Sequence, residues 1–108
     1  EVRNETAETL QFGTFTLETE ARRLRNAGGN LVSLSPREYD LLEHFLRNRG
    51  RALSRQSIVD SVWGYRARVT QRSVDRFVTQ LRKSIESTPG EFIETIRTFG
   101  YRFRMKSS

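Results

Sequence analysis

The segment Gln71 to Lys83 reads QRSVDRFVTQLRK, and from it to Ile85 the residues Val74, Phe77, Val78, Leu81 and Ile85 recur at the spacing of one helical stripe. Such a stripe needs a core to bury in, so the chain around it has to fold as a packed domain. At about 100° per residue the opposite side carries Arg72, Arg76, Thr79 and Lys83, with Gln80 and Asp75 at its margins. Arg72 and Arg76 stand four apart and, in isolation, repel each other by a few tenths of a kcal/mol, roughly. A polyanion laid along this face would reverse the sign of that effect.

The remaining bounds are compatible with one domain. A chain of 108 residues buries roughly 65% of the surface its unfolded form exposes, enough to fold alone. Cysteine is absent, which removes disulfides, thiolate metal sites and cysteine nucleophiles and fits a reducing compartment. The single histidine, His44, has no visible ligand or nucleophile partner. No P-loop, metal-ligand cluster or nucleophile–base pair occurs, so the reading is of a non-enzyme without a cofactor. No apolar run approaches the roughly 20 residues that span a bilayer, and the first residues, EVRNETAE, are unlike a signal peptide. The expectation is a cytoplasmic protein with no membrane partner. A first residue of Glu suggests a piece of a longer polypeptide.

Charge is unevenly spread. The total is +6, but Glu1 to Glu20 holds five glutamates against Arg3, a net of −4. Arg66, Arg68, Arg72, Arg76, Arg82 and Lys83 face only Asp75, a net of +5, and Arg97, Arg102, Arg104 and Lys106 have no acid among them. Two basic blocks point to a polyanionic partner and say nothing about fold.

Local signals supply the elements. LQFGTFTL, residues 10–17, reads as short strands turning at Gly13, and residues 21–25 and 31–34 flank NAGGN, where Gly28-Gly29 provides the positive φ of a tight hairpin. A small antiparallel sheet is therefore expected first. Ser35-Pro36-Arg37-Glu38 combines N-cap, proline at the first helical position and a capping-box glutamate, opening a helix with Tyr39, Leu42, Phe45 and Leu46 inward and Gly50 at its end. Ser54 caps a shorter helix, with Ile58, Val59, Val62 and Trp63 inward, that stops at Gly64. The third helix enters through Thr70 and ends before Pro89-Gly90. Residues 92–105 read as a hairpin in which Phe99, Tyr101, Phe103 and Met105 alternate with Gly100, Arg102 and Arg104.

Three helices followed by a hairpin is the order of a winged helix. The strings LSPREYDLLEHFLRNRGRALSR, VWGY, RSVDRFVTQLRKSIE and IRTFGYRF, in this order, resemble the C-terminal DNA-binding domain of OmpR/PhoB-type response regulators from about Leu10 to Phe103. The resemblance implies an α+β winged helix-turn-helix with a four-stranded N-terminal antiparallel sheet, three helices and a C-terminal β-hairpin wing. Residues 1–9 would be a lead-in and 10–106 the domain. It implies sequence-specific binding of double-stranded DNA, usually as a homodimer, under a phosphorylated receiver domain that would precede Glu1. Helix three would read the major groove, Arg97 the adjacent minor groove, and Tyr101 would touch a phosphate.

The expected DNA-contacting set is thus Arg72, Ser73, Arg76, Thr79, Gln80, Arg82 and Lys83 on helix three, Arg97 and Tyr101 on the wing, Arg66 and Arg68 in the preceding loop, and Trp63. Trp63 reads as a core residue first and a phosphate contact through its indole N–H second. Several positions depart from the family pattern. Gln80 stands where Arg is common and favours the N6/N7 edge of adenine; Thr79 and Phe77 replace a frequent Arg and His; Arg76 stands where a small apolar residue is usual. Residues 64–71, which can touch RNA polymerase in the family, are basic here through Arg66 and Arg68, so this loop is expected to follow the DNA backbone. Thr98 stands where the wing turn commonly has glycine. The rival reading is a winged helix used mainly for protein contact, with little salt dependence. RNA is disfavoured because Phe77, Phe99 and Phe103 read as buried instead of displayed for stacking.

Overall fold

The computed structural model describes residues 7–105; Glu1, Arg3, Glu5 and Lys106, counted above toward the acidic end and the basic tail, lie outside the described residues, as does most of the lead-in. Strands β1 (Thr9–Phe12), β2 (Phe15–Glu18), β3 (Arg23–Arg25) and β4 (Leu31–Val32) form an antiparallel sheet in sequence order. Gly13 turns the first hairpin with φ 55°. In NAGGN it is Gly29, at φ 80°, that takes the left-handed conformation, while Asn26 Oδ1 accepts from the backbone N–H groups of Gly28 and Asn30.

Helix α1 (Pro36–Arg47) begins with the expected capping box: Ser35 Oγ accepts from the Glu38 N–H at 3.2 Å and the Ser35 N–H donates to Glu38 Oε1 at 3.1 Å. Its inner side buries Tyr39, Leu41, Leu42, Phe45 and Leu46. The chain then forms a strand that no local signal announces, β5 (Ala52–Ser54). Three residues are too few to display a period, and β5 exists because β7 (Gly100–Phe103) pairs with it, Leu53 opposite Tyr101. Gly100 permits that approach: a Cβ on it would lie 2.0 Å from the Leu53 carbonyl oxygen.

Ser54 caps the second helix as expected, but the helix is not uniform. Residues Arg55–Ile58 form α2, and Val59–Trp63 form a π-helical turn closed by the Gly64 N–H donating to the Val59 carbonyl. The wider turn brings Trp63 against Phe77, with ring centroids 5.1 Å apart. Helix α3 spans Gln71–Ile85 and buries Val74, Val78, Leu81 and Ile85.

Strand β6 (Ile93–Ile96) completes a second sheet of order β5-β7-β6, the last two strands being the wing. Phe12 of the first sheet meets Phe92 and Phe103 edge-on at 5.1 and 5.4 Å, so one aromatic cluster joins the two sheets beneath α1. Two residues depart from the expected alternation. Phe99 is 46% exposed and Met105 66%, because β7 pairs only from Gly100 to Phe103 and both lie beyond its ends; Phe99 therefore is not buried as expected, and Phe77 is only partly so.

Candidate nucleic-acid interface

Helix α3 rests on the core by its apolar stripe, which leaves Arg72, Arg76, Thr79, Gln80 and Lys83 facing outward. Thr70 caps it, accepting from the Ser73 N–H at 3.2 Å, and its first turn carries no acid. The Ser73 hydroxyl lies 3.2 Å from that of Thr70, and Thr79 donates to the Asp75 carbonyl at 2.9 Å, so both hydroxyls have local partners.

The cations divide into two groups. Arg22, Arg23, Arg25, Arg37, Arg47, Arg55, Arg82, Arg102 and Arg104 each lie beside a carboxylate. Arg49 donates to the carbonyls of Gln11, Arg104 and Met105, and Arg51 to the side chain of Asn48. By contrast Arg66, Arg68, Arg72, Arg76, Lys83 and Arg97 are exposed and make no side-chain hydrogen bond or ion pair among the described residues. They follow one another in the chain along the loop 64–70, the outer face of α3 and the turn of the wing. Gly64, at φ 99°, directs the chain into that loop, where Tyr65 is 88% exposed.

Arg82 and Tyr101 occupy different positions. Arg82 reaches from α3 to the wing, donating to the Ile93 carbonyl at 2.6 Å and to Thr95 Oγ1 at 2.9 Å, with Glu86 Oε1 3.7 Å from its Nε. Tyr101 is buried, and its hydroxyl donates to Asp75 Oδ1. Arg55 Nε donates to the same carboxylate oxygen at 2.8 Å. Burial tends to raise the Asp75 carboxyl, but the hydrogen bonds from Tyr101 and Arg55 outweigh it and hold the group below the usual aspartate range. Burial, and then the neighbouring carboxylate, push the Tyr101 phenol above its ordinary value. Trp63 is half-buried between the π turn and α3.

Two further residues shape the connection of α3 to the wing, Glu86, which sequence reasoning missed, and Thr98, which stands where the wing turn commonly has glycine. The Glu86 side chain, 2% exposed, accepts from the backbone N–H groups of Gly90, Phe92 and Ile93 and so ties the end of α3 to the start of β6. Thr98, between Arg97 and Phe99, is held at φ 62°. Among the described residues there is no cluster of acidic or histidine side chains able to hold a metal, and no helix long and apolar enough to cross a membrane.

Residues 29–103 match the family described as transcriptional regulatory protein, C terminal. The chain is 39% identical over 97 residues to the transcriptional regulatory protein TrcR of Mycobacterium tuberculosis, covering 90% of this chain and 37% of that protein. It superposes on the Klebsiella pneumoniae RstA DNA-binding domain, crystallised in complex with the RstA box, with a TM-score of 0.78 and 28% identity, covering 90% of this chain and 97% of that one. The response regulator DrrB, a Thermotoga maritima OmpR/PhoB homologue, gives a TM-score of 0.80 at 26% identity, over 89% of this chain and 44% of that one. The chain spans about two fifths of the length of the curated relatives it matches.

Proposed function

Since the chain belongs to the family of C-terminal domains of transcriptional regulatory proteins, of the OmpR/PhoB type, we propose that it binds double-stranded DNA sequence-specifically, as the effector domain of a two-component response regulator controlling transcription. The observation that carries this reading is the row of six cations, Arg66, Arg68, Arg72, Arg76, Lys83 and Arg97, left without partners among the described residues while most other arginines are paired. An unpaired cationic row costs stability by self-repulsion, and a phosphate backbone removes that cost by releasing counterions. The complex of RstA with its box supports a duplex as the partner.

In this reading α3 enters the major groove. Arg72, Arg76, Gln80 and Lys83 meet bases and phosphates, Thr79 and Ser73 flank them, and Gln80 favours adenine. Arg97 enters the adjacent minor groove, and Arg66 and Arg68 follow the backbone, with Trp63 at the margin of the interface. Arg82 supports the wing from behind. The protein works in the cytoplasm as a homodimer on DNA, downstream of a receiver domain, and is not an enzyme. The exposure of Tyr65 favours a second contact through residues 64–71, to RNA polymerase.

Anisotropy of labelled duplexes over a salt series tests the reading. The wild type is expected to lose affinity with a log–log slope of about −0.9 per phosphate neutralised, and Arg72→Ala/Arg76→Ala/Lys83→Ala to flatten it. Arg66→Ala/Arg68→Ala should flatten it further if the loop follows DNA. A shallow slope common to all three proteins means that the partner is another protein.

A further inference from the structure

Asp75 is the only acid in α3 and lies at the margin of the face assigned to DNA, its side chain 43% exposed. A carboxylate there repels phosphate, so its presence calls for a compensating role. Two other elements converge on it. Arg55, the first residue of α2, and Tyr101, in the central strand of the wing sheet, both donate to Asp75 Oδ1. The Arg55 backbone N–H also donates to the Phe99 carbonyl at 3.2 Å, so main chain and side chain of one residue join α2 to both the wing turn and α3.

The same face of α3 is held a second time. Arg82 follows Asp75 by seven residues, two helical turns, and donates to the wing strand β6. The Tyr101 ring lies under both guanidinium groups, 5.2 Å from that of Arg55 and 5.6 Å from that of Arg82. Two attachment points at different heights on one face define the rotation of a helix about its own axis. That rotation decides which base edges Arg72, Arg76 and Gln80 can reach, since readout needs placement to about 0.5 Å.

We propose that Arg55, Asp75 and Tyr101 form one positioning unit that sets the rotation of α3 against the wing, and with it the preferred DNA sequence, and that Tyr101 serves in it without contacting phosphate. This rests on the DNA reading above and alters the role that the family resemblance implies for Tyr101. The hydroxyl has a single proton, which goes to Asp75, and the residue is only 5% exposed.

The test begins by enriching duplexes from a random library with the wild-type chain. Kd is then measured over a salt series on an enriched duplex and on its scrambled counterpart, for the wild type, Tyr101→Phe, Asp75→Asn and the double variant. Tyr101→Phe keeps the ring and Asp75→Asn keeps an acceptor; circular dichroism melts set a temperature at which all four are folded, and Arg55→Lys gives a further variant of the same unit. The expected result is an unchanged salt slope for Tyr101→Phe and a ratio of scrambled to enriched Kd that falls about tenfold in each variant, the scale of one misread base pair. The double variant should be no worse than either single one. Scrambled DNA should bind Asp75→Asn as well as or better than the wild type, since a negative charge is gone. A slope shallower by about 0.9 in Tyr101→Phe, with equal losses on both duplexes, makes Tyr101 a phosphate contact and overturns the proposal. Discrimination retained in all variants overturns it too. Absence of salt-dependent duplex binding by the wild type removes the DNA reading itself, and the proposal with it.

Discussion

The carboxylate of Glu86 accepts the backbone N–H of Ile93 at 2.8 Å, fastening the last turn of α3 to the first strand of the wing. The same side chain accepts from Gly90 and Phe92, so one nearly inaccessible carboxylate satisfies three amides of the connection between α3 and the wing. Glu86→Ala leaves those three donors without their acceptor and removes the carboxylate that lies 3.7 Å from Arg82 Nε, at a cost of about 3 kcal/mol or more. Urea unfolding should show this loss as a lower midpoint with an unchanged m-value, and Glu86→Gln, which keeps one acceptor oxygen, should lose less.

Thr98 holds φ 62°, a conformation costly for a β-branched residue by about 1–2 kcal/mol. Glycine relieves that strain but raises the entropy of the unfolded chain, so Thr98→Gly should stabilise by about 0.5–1 kcal/mol net. A thermal melt with Tm raised by a few degrees is the expected outcome; a lowered Tm means that the Thr98 side chain, whose hydroxyl donates to the Arg97 carbonyl, contributes more than its strain costs.

His44, half-buried near the end of α1, has its pKa lowered below 6.5, first by burial and then by the charge of Arg51. The unfolded chain therefore binds this proton more readily than the folded one. Stability from the neutral imidazole is present above pH 6.5 and is lost as pH falls through the lower folded pKa. Stability measured from pH 7.5 to 5 should decline in the wild type, and more weakly in His44→Gln.

Gln80 is exposed on α3 and makes no side-chain hydrogen bond among the described residues, so both its amide donor and its acceptor are free to pair with a base. Gln80→Arg should move the preference at one position of an enriched site from adenine to guanine, with discrimination worth about 1–3 kcal/mol. Competition between duplexes differing at that base pair measures it, and an unmoved preference removes Gln80 from the base-reading set.

The parts of this protein legible in its sequence are those encoded by near neighbours. The capping box at Ser35, the N-cap at Ser54, the hairpin at NAGGN and the two faces of α3 all arise from residues within one or two turns of each other, and each appears where the spacing placed it. What only the tertiary structure decided involves distant partners. Strand β5 forms because Gly100, some 46 positions further on, lets β7 approach; Phe99 is exposed because pairing begins one residue after it. The sequence shows a surplus of arginine but not which arginines remain free. Arg55 is claimed by Asp75 across 20 residues and Arg82 by the wing carbonyl of Ile93, whereas Arg72 and Arg76 are left to solvent. Periodicity records which way a side chain points along its own helix, but ion pairing depends on what the fold brings opposite it.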